Sequence, residues 1–197
     1  MSAAVSPSSR GLKVRVRPAT EGDIAAVQEI YAHYVLSTSA SFEEEAPTVA
    51  EMTARWQKIH ARGMPYLVAV HKNRIVGYAY GGPFRERSAY RYTIEDSVYV
   101  APDMMGRGIG NALMTALIRK CETQGYRQMI AVIGDSANAA SIALHSRHGF
   151  AVIGALRSSG FKFGRWSDAV LMQKPLGDGD TTLPARDVGR RARKRAR

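Results

Sequence analysis

The chain has little cysteine and no long apolar run. Cys121 is the only cysteine, so no disulfide forms within the chain, and no metal-ligand spacing surrounds it. No segment approaches the roughly 18 to 20 apolar residues that cross a bilayer, and the N-terminal letters MSAAVSPSSRGLK lack the apolar centre of a secretory signal. These absences argue against disulfide-rich secreted proteins and membrane proteins. They predict a protein of the reducing cytoplasm that binds no metal.

Acidic residues are also scarce: 17 Asp and Glu stand against 28 Lys and Arg, for a net charge of +11. Residues 177–197 carry seven basic and three acidic side chains, with few apolar residues and no helical period. This composition predicts a disordered basic tail, and residues 1–11 are predicted to be disordered as well. Such a tail binds polyanions weakly and without sequence preference, so a specific nucleic-acid function is not expected. Residues 12–176 form one predicted domain.

Apolar periodicity within residues 12–176 switches between that of strands and that of helices. Residues 12–20 alternate apolar and basic side chains up to Pro18, which predicts a strand that ends in a turn. Helical spacing follows over 20–37, and Thr48 with Glu51 has the pattern of a capping box that begins a second helix. The later segments are a hairpin (65–84), a strand (90–102), a helix (109–125), a strand (126–134), a helix (140–150) and the last strands (151–176). This order predicts an α/β domain with a mixed sheet.

Three glycines stand at every second position directly before the third helical pattern, in VAPDMMGRGIGNALM (residues 100–114). Glycine lets the backbone approach a ligand closely, and a helix N-terminus offers free N–H groups to a phosphate or pyrophosphate. The loop lacks the Gly-Lys-Ser/Thr of a Walker A motif and the G-x-G-x-x-G spacing of a dinucleotide fold. A tight strand-to-helix turn without a ligand explains the glycines equally well.

The segment MGRGIGNALM, after EDSVYV, resembles the acetyl-CoA signature of the GNAT N-acetyltransferases, which runs Gln/Arg-x-x-Gly-x-Gly/Ala. Gly108 and Gly110 match its two glycines, whereas Met105 stands where the family has Gln or Arg. The chain is most similar to the branch of phosphinothricin and methionine sulfone or sulfoximine acetyltransferases. Similar segments run in order through residues 14–176, among them SFEEEAPT, YTIEDSVYV, NAASIALHSRHGF and GFKFGRWSDAVLMQK.

The resemblance implies the GNAT fold, in which the central parallel strands of the mixed sheet splay apart, and a homodimer that transfers acetyl directly from acetyl-CoA. The acceptor would be the amino group of a small anionic amino-acid analogue. A protein N-terminus, an ordinary amino acid or a polyamine remain alternatives, although paired arginines disfavour a polycation. A non-catalytic module that only binds acetyl-CoA is a further alternative.

Two residues are predicted to be catalytic. An alkyl ammonium has a pKa near 10, so a base must take its proton at neutral pH. Glu95 lies on the opposite strand face from Asp96 and matches the base of the branch, and a mostly apolar cleft would raise its pKa. His145 stands where many GNAT enzymes have a Tyr that protonates the leaving thiolate. A solvated carboxylate and a packed or capping histidine are the alternatives, and a ping-pong route through Cys121 is disfavoured.

The resemblance also implies the binding residues. Strand residues would pair with the pantetheine arm, the glycine loop would hold the pyrophosphate, and an Asn that could equally cap a helix would bind the pantetheine. These predicted cofactor residues are Val98, Tyr99, Val100, Gly106, Arg107, Gly108, Ile109, Gly110, Asn111 and Asn138. The predicted acceptor residues are Phe42, Arg85, Arg87 and Tyr90, where a solvated basic loop is the alternative. Lys162 and Trp166 are expected in the same cleft or in a dimer interface.

Overall fold

The computed structural model describes residues 12–184, which form one mixed sheet with helices on both faces. The strands are β1 (Arg15–Pro18), β2 (Tyr66–His71), β3 (Arg74–Pro83), β4 (Thr93–Val100), β5 (Gln128–Gly134), β6 (Ala151–Lys162) and β7 (Arg165–Pro175). The helices are α1 (Ile24–Ser37), α2 (Val49–Ala61), α3 (Ile109–Thr123) and α4 (Ala139–Arg147). The predicted α/β class and element order are confirmed.

The strand order is β1-β2-β3-β4-β5-β7-β6, and β4 and β5 are the parallel pair. Their pairing ends at Asp96 and Ala131, although β4 continues to Val100 and β5 to Gly134. The final residues of β4 remain paired with β3 on their other side. The two central strands therefore separate at their carboxyl ends and leave an opening in the sheet.

Alternate residues of β4 face different helices, because successive side chains of a strand point to opposite faces. The Tyr99 ring packs edge-on against Tyr31 and Tyr34 of α1, so Glu95, which shares its face, points to the α1 side. Asp96 contacts His145 of α4 on the opposite face. The register of β4 therefore separates the two predicted catalytic side chains across the sheet.

The start of α1 is fixed by an ion pair and a capping box. The guanidinium of Arg17 donates to Asp23 at 2.6 and 2.7 Å, and Thr20 donates to the same carboxylate from its backbone N–H and its hydroxyl. The Arg17 hydrogen bond, opposed by burial and assisted by the Thr20 donors, lowers the pKa of Asp23 from 3.8 to about 2. The second predicted capping box, Thr48 with Glu51, is also present.

We expect Asp23→Asn to lower the free energy of unfolding by about 2 kcal/mol at neutral pH, because a pKa shift of roughly two units is worth that much. The folded-state pKa of Asp23 is depressed, so its contribution is fully present above the unfolded value near 3.8 and is lost as the pH falls toward 2. Urea unfolding at pH 7, 4 and 3 checks this. A stability difference that does not shrink with acidification would contradict it, and Glu21→Gln, at an exposed neighbour, is the matched control.

The first residues of the predicted tail, 177–184, lie within the described part of the chain and contact the domain. The side chain of Arg127 is 3.4 Å from Asp178 and donates to Thr182 at 2.5 Å. This ordered segment differs from the expectation of disorder from 177 onward, because Arg127, 55 residues earlier in the chain, supplies donors to it. Residues 185–197, which carry the basic charge, and residues 1–11 lie outside the described residues.

None of the helices within residues 12–184 has both the length and the apolar character required to cross a membrane.

Candidate active site

A cleft with a volume of about 510 Å³ opens where β4 and β5 separate. Its walls are the free ends of the two strands, the glycine loop before α3, and one side of α4. The free edges of β4 and β5 carry backbone N–H and C=O groups that lack a partner strand there. The cleft therefore suits an extended ligand with its own amide groups.

The glycine loop closes one end of the cleft and has the backbone of an anion site. Gly106 and Gly108 have φ values of 73° and 82°, a left-handed conformation that glycine adopts without strain. Gly108 is the N-cap of α3, and no side chain among residues 12–184 caps that helix. The first N–H groups of α3 are therefore free to bind an anion. A Cβ on Gly110 would lie 3.2 Å from Leu144 of α4, so glycine there allows the two helices to approach.

Met105 lies at the rim of this loop and is 56% exposed. Its sulfur is 3.8 Å from the hydroxyl of Tyr34, which donates a 2.6 Å hydrogen bond to the carbonyl of Val100. Tyr34 thereby connects α1 to the end of β4. The apolar side chain of Met105 contributes little to the core, so other residue types can replace it without loss of core packing.

Nine of the ten predicted cofactor residues line the cleft: Val98, Tyr99, Val100, Gly106, Gly108, Ile109, Gly110, Asn111 and Asn138. Arg107 does not line it, because its side chain is exposed beside the loop. Asn138 accepts a hydrogen bond from the backbone N–H of Ser141 at 3.2 Å, so it caps α4 as well as lining the cleft. The carbonyl of Val100 is already engaged by Tyr34, which leaves it one lone pair for a ligand.

Glu95 is half-buried on β4, opposite Gly82 of β3. No hydrogen-bond or ion-pair partner is found for its carboxylate within the described residues. Burial, together with the negative charge of Asp96, raises the pKa of Glu95 above its ordinary value. A carboxylate without a donor and with a raised pKa is a better proton acceptor than a solvated one.

His145 and Asp96 form a buried pair on the other face of the sheet. Nδ1 of His145 donates to the carbonyl of Ser141 at 2.8 Å, and Nε2 is 3.0 Å from Oδ2 of Asp96. Burial lowers the pKa of His145, but the hydrogen bond and the charge of Asp96 outweigh it, so the net shift is upward. The other oxygen of Asp96, Oδ1, is buried without a hydrogen-bond partner in the described structure. Both side chains line the cleft, and His145 is 2% exposed.

The four predicted acceptor residues lie in two separate groups. Arg85 stacks over the rings of Phe84 and Tyr90 at 5.2 and 5.7 Å, and Arg87 is exposed beside them. Phe42 lies in the loop between α1 and α2, where its ring covers Gly160 of β6. The arginines follow the end of β3, which pairs with the start of β4. Gly160 instead lies toward the carboxyl ends of β4 and β5, so the described residues do not bring Phe42 to the arginine group.

Lys162 and Trp166, predicted together, point to different faces of the hairpin formed by β6 and β7. Lys162 is buried and donates to backbone carbonyls near the end of α1. Trp166 is exposed and packs edge-on against Phe161. Sequence reasoning did not assign Asp96 or Tyr34 to the site, although strand alternation placed Asp96 on the face opposite Glu95 and helical spacing placed Tyr34 on the apolar face of its helix.

Cys121 is fully buried on α3. Burial raises the pKa of its thiol to about 12, so the thiol is protonated at neutral pH. A covalent acyl-cysteine step needs a thiolate within reach of the substrate, and this residue supplies neither. Residues 12–184 also contain no group of three or more His, Cys, Asp or Glu side chains placed to hold a metal ion.

Comparison with known proteins gives consistent matches over this region. Residues 16–171, which include every residue that lines the cleft, match the model of the acetyltransferase (GNAT) domain. The chain is 53% identical over 169 residues to a phosphinothricin N-acetyltransferase of Alcaligenes faecalis, with 86% of each chain covered. It is 39% identical over 161 residues to an L-methionine sulfoximine/L-methionine sulfone acetyltransferase of Salmonella typhimurium, with 82% of this chain and 94% of the relative covered.

A solved structure shows the same likeness in three dimensions. It is a phosphinothricin acetyltransferase from Sinorhizobium meliloti in complex with acetyl-CoA, and it superposes with a TM-score of 0.86 at 44% identity. The match covers 88% of this chain and 94% of that chain.

Proposed function

Because the chain belongs to the GNAT acetyltransferase family and is an acetyl-CoA-dependent N-acetyltransferase, we propose that it acetylates the α-amine of a small anionic amino-acid analogue, of the phosphinothricin or methionine sulfoximine type. The single observation that carries this proposal is the half-buried Glu95, one residue before the pairing of β4 with β5 ends, whose carboxylate has no partner within residues 12–184. The relatives named above act on such analogues, and the chain covers most of their length.

Glu95 acts as the general base in this proposal. An amino-acid ammonium group has to lose a proton before its nitrogen can attack the thioester carbonyl. Burial and the charge of Asp96 raise the pKa of Glu95 toward neutrality, which improves its match to the ammonium. Gly82, opposite Glu95, places no side chain beside the carboxylate and leaves space for the amine.

The separated end of β4 stabilises the reaction in two ways. Free backbone N–H groups along residues 97–100 supply donors for the oxyanion that forms when the amine adds to the carbonyl. Other free backbone groups at the separated ends of β4 and β5 pair with the amides of the pantetheine arm, while the N-terminus of α3 and the loop at Gly106 and Gly108 hold the pyrophosphate. Asn138, at the cap of α4, holds the arm from the other side.

The buried pair of Asp96 and His145 supplies the proton for the leaving thiolate. Ser141 fixes a proton on Nδ1 and Asp96 stabilises a second proton on Nε2, so the imidazolium form is favoured. The second proton lies in the hydrogen bond between Nε2 of His145 and the carboxylate of Asp96. Both side chains line the cleft, so the proton donor to the sulfur is this hydrogen-bonded pair and not an isolated imidazole. The C–N bond forms and the thioester C–S bond breaks. The nitrogen, which gave its first proton to Glu95, releases a second one to solvent as the amide forms, and the sulfur receives its proton from the pair of His145 and Asp96.

Arg85, Arg87 and Tyr90 bind the anionic groups of the acceptor, and Phe42 contacts its apolar carbons. The Arg85 guanidinium lies near two aromatic rings, and no acceptor for its N–H groups is found within residues 12–184, which suits recognition of a carboxylate or phosphinate. Phe42 and the arginine group lie apart within one chain, so their assignment to one acceptor rests on the resemblance to the branch.

A homodimer and a cytoplasmic location belong to the same proposal. Apolar side chains are exposed on β6 and on the turn and strand that follow, and a second copy of the chain would cover them. They are Val152, Ile153, Leu156, Phe161, Phe163 and Trp166. Sedimentation equilibrium measures this directly. The lone buried thiol is compatible with a reducing compartment.

Release of free coenzyme A thiol tests the proposed function, measured with phosphinothricin, methionine sulfone, methionine sulfoximine, common amino acids, polyamines and peptides as acceptors. We expect the highest kcat/KM with the anionic analogues. Turnover of a peptide or polyamine above all analogues would overturn the acceptor assignment. Binding of acetyl-CoA without turnover of any acceptor would overturn the catalytic assignment.

Met105 gives a prediction about acetyl-CoA affinity. The Met105→Arg and Met105→Gln variants are expected to bind acetyl-CoA as tightly as the parent or up to roughly tenfold tighter, because a donor beside the pyrophosphate adds a charge-assisted hydrogen bond. Isothermal titration calorimetry measures the dissociation constant, with Met105→Leu as the control that keeps the apolar surface. A marked loss of affinity in Met105→Gln but not in Met105→Leu would mean that the apolar surface of this side chain holds the loop.

A further inference from the structure

Lys162 lies near the end of β6, with its charged group inside the protein. The residue is 2% exposed, and its Nζ is 2.6 Å from the carbonyl of Val35, 2.7 Å from that of Ser41 and 3.0 Å from that of Thr38. A lysine ammonium has three N–H donors, and here each donor has one acceptor. This satisfied arrangement accounts for the burial of a charge that would otherwise be costly.

The three carbonyls belong to a single stretch of chain. Val35 is in the last turn of α1, Thr38 follows the helix, and Ser41 is in the loop that leads to α2. The last carbonyls of a helix are unpaired and form the negative end of its dipole, which favours a cation at that place. Glu43 and Glu44, in the same loop, add favourable charge. Lys162 therefore caps α1 and fixes the start of the loop to β6.

The same loop carries Phe42, whose ring lies against Gly160 of β6. Gly160 is two residues before Lys162, so the two residues share one face of the strand. A Cβ on Gly160 would lie 2.7 Å from the Phe42 ring, so the absence of a side chain at Gly160 lets the ring rest on the strand. The backbone of β6 is irregular between Leu156 and Gly160, and this irregularity sets which of its residues face the loop. Gly160 and Lys162 thus hold the loop at two adjacent points.

We propose that Lys162 is a positioning residue for the acceptor: by binding three backbone carbonyls of residues 35–41, it holds Phe42 against Gly160 and so sets the acceptor side of the active site. The inference rests on the proposed function, because Phe42 is assigned to the acceptor there. Lys162 contacts no residue of the glycine loop in the described structure, and within residues 35–41 Ala40 alone lines the cofactor cleft, so its loss should affect the acceptor much more than acetyl-CoA.

The test is Lys162→Met, which keeps the length of the side chain and removes the charge and the donors. We expect KM for the acceptor to rise by about tenfold or more, since displacement of a binding group by about 1 Å can cost up to a hundredfold. The dissociation constant of acetyl-CoA, measured by calorimetry, should stay within about twofold. Lys58→Met, on the exposed surface of α2, is the matched control and should change neither quantity.

A second variant covers the case in which Lys162→Met does not fold. Gly160→Ala leaves the lysine in place and displaces Phe42, so it should raise KM for the acceptor in the same way. When Lys162→Met or Gly160→Ala is combined with Phe42→Ala, KM for the acceptor should rise little beyond its value in Phe42→Ala alone, because all three substitutions act through one contact. Equal changes in both substrates, or additive effects with Phe42→Ala, would overturn the proposal.

Hydrogen exchange separates this proposal from the proposed function. Lys162→Met should accelerate exchange of backbone amides in residues 38–47 relative to those of α3, whatever the acceptor is. Faster exchange with no acceptor turned over by the parent protein would show that Lys162 fixes the loop and that the assigned acceptor class is wrong. Unchanged exchange in these residues would overturn the positioning role itself.

Discussion

Replacing Glu95 with Gln is expected to lower turnover at neutral pH by about 10²- to 10⁴-fold, the range that a general base contributes. Gln has nearly the same shape as Glu but cannot accept the proton of the ammonium group. At a pH near 10 about half of the acceptor amine is neutral without assistance, so the deficit of Glu95→Gln should narrow there. Steady-state release of coenzyme A from pH 6 to 10 measures both effects.

If Glu95 is the base, the pH profile of kcat/KM for the parent enzyme has to fall on its acid side. Because the base must be ionised, kcat/KM should fall as the pH drops through the pKa of Glu95, which lies above the ordinary value of 4.5. Glu29→Gln, on the exposed side of α1, removes a carboxylate away from the cleft and should leave the profile unchanged. If Glu95→Gln and the parent have parallel profiles, Glu95 is not the base.

Truncation of Asp96 to Ala is expected to lower the free energy of unfolding by about 3 to 5 kcal/mol, because it leaves a buried histidine without the partner that stabilises its charge. The pKa of His145 is raised in the folded protein, so the contribution of the pair is fully present below the unfolded pKa near 6.5. It is lost as the pH rises through the folded value. Urea unfolding at pH 6 and pH 9 should therefore show a larger deficit at pH 6.

Asp96→Asn keeps the shape of the side chain and tests the chemistry. Without the negative charge, burial lowers the pKa of His145 against the Ser141 hydrogen bond alone, and one contribution that raises the pKa of Glu95 disappears. Both limbs of the pH–rate profile should consequently move to lower pH. His60→Gln changes a histidine on α2, away from the cleft, and should shift neither limb. If Asp96→Asn lowers the maximum rate without moving either limb of the pH–rate profile, the pair of Asp96 and His145 stabilises the fold and takes no part in proton transfer.

The pattern of elements was predictable because each signal is local. The capping box of Thr48 and Glu51, the left-handed turn at Lys72 and Asn73 between β2 and β3, and the glycine at the end of α3 all depend on residues within a few positions of one another. The glycines likewise predicted an anion site, but only the similarity of the whole domain to the GNAT family distinguished that site from a strand-to-helix turn without a ligand.

Contacts between distant parts of the chain were not predictable in this way. Asp96 is 49 residues from His145, and Lys162 is more than 120 residues from the carbonyls that it binds. Strand alternation placed Glu95 and Asp96 on opposite faces, but nothing local shows which face carries α4. The sequence therefore suggested His145 as a lone acid, whereas the structure joins it to a carboxylate.

The spatial grouping of the acceptor residues was also not predictable from the sequence. Phe42, Arg85, Arg87 and Tyr90 were grouped by resemblance, and their sequence positions give no distance between them. The register of β3 with β4, of β5 with β7 and of β7 with β6 places them toward different ends of the sheet. Ordering of residues 177–184 depended in the same way on Arg127, whose side chain meets them only in the folded protein.

The buried thiol of Cys121 has a practical consequence. With its pKa near 12 and no exposed surface, it is a poor target for disulfide and maleimide reagents while the protein is folded. Colorimetric titration of released coenzyme A therefore proceeds with little background from the enzyme. A cysteine introduced at the surface, for example at Ser88 beside the predicted acceptor arginines, could carry a fluorophore without removal of the native one.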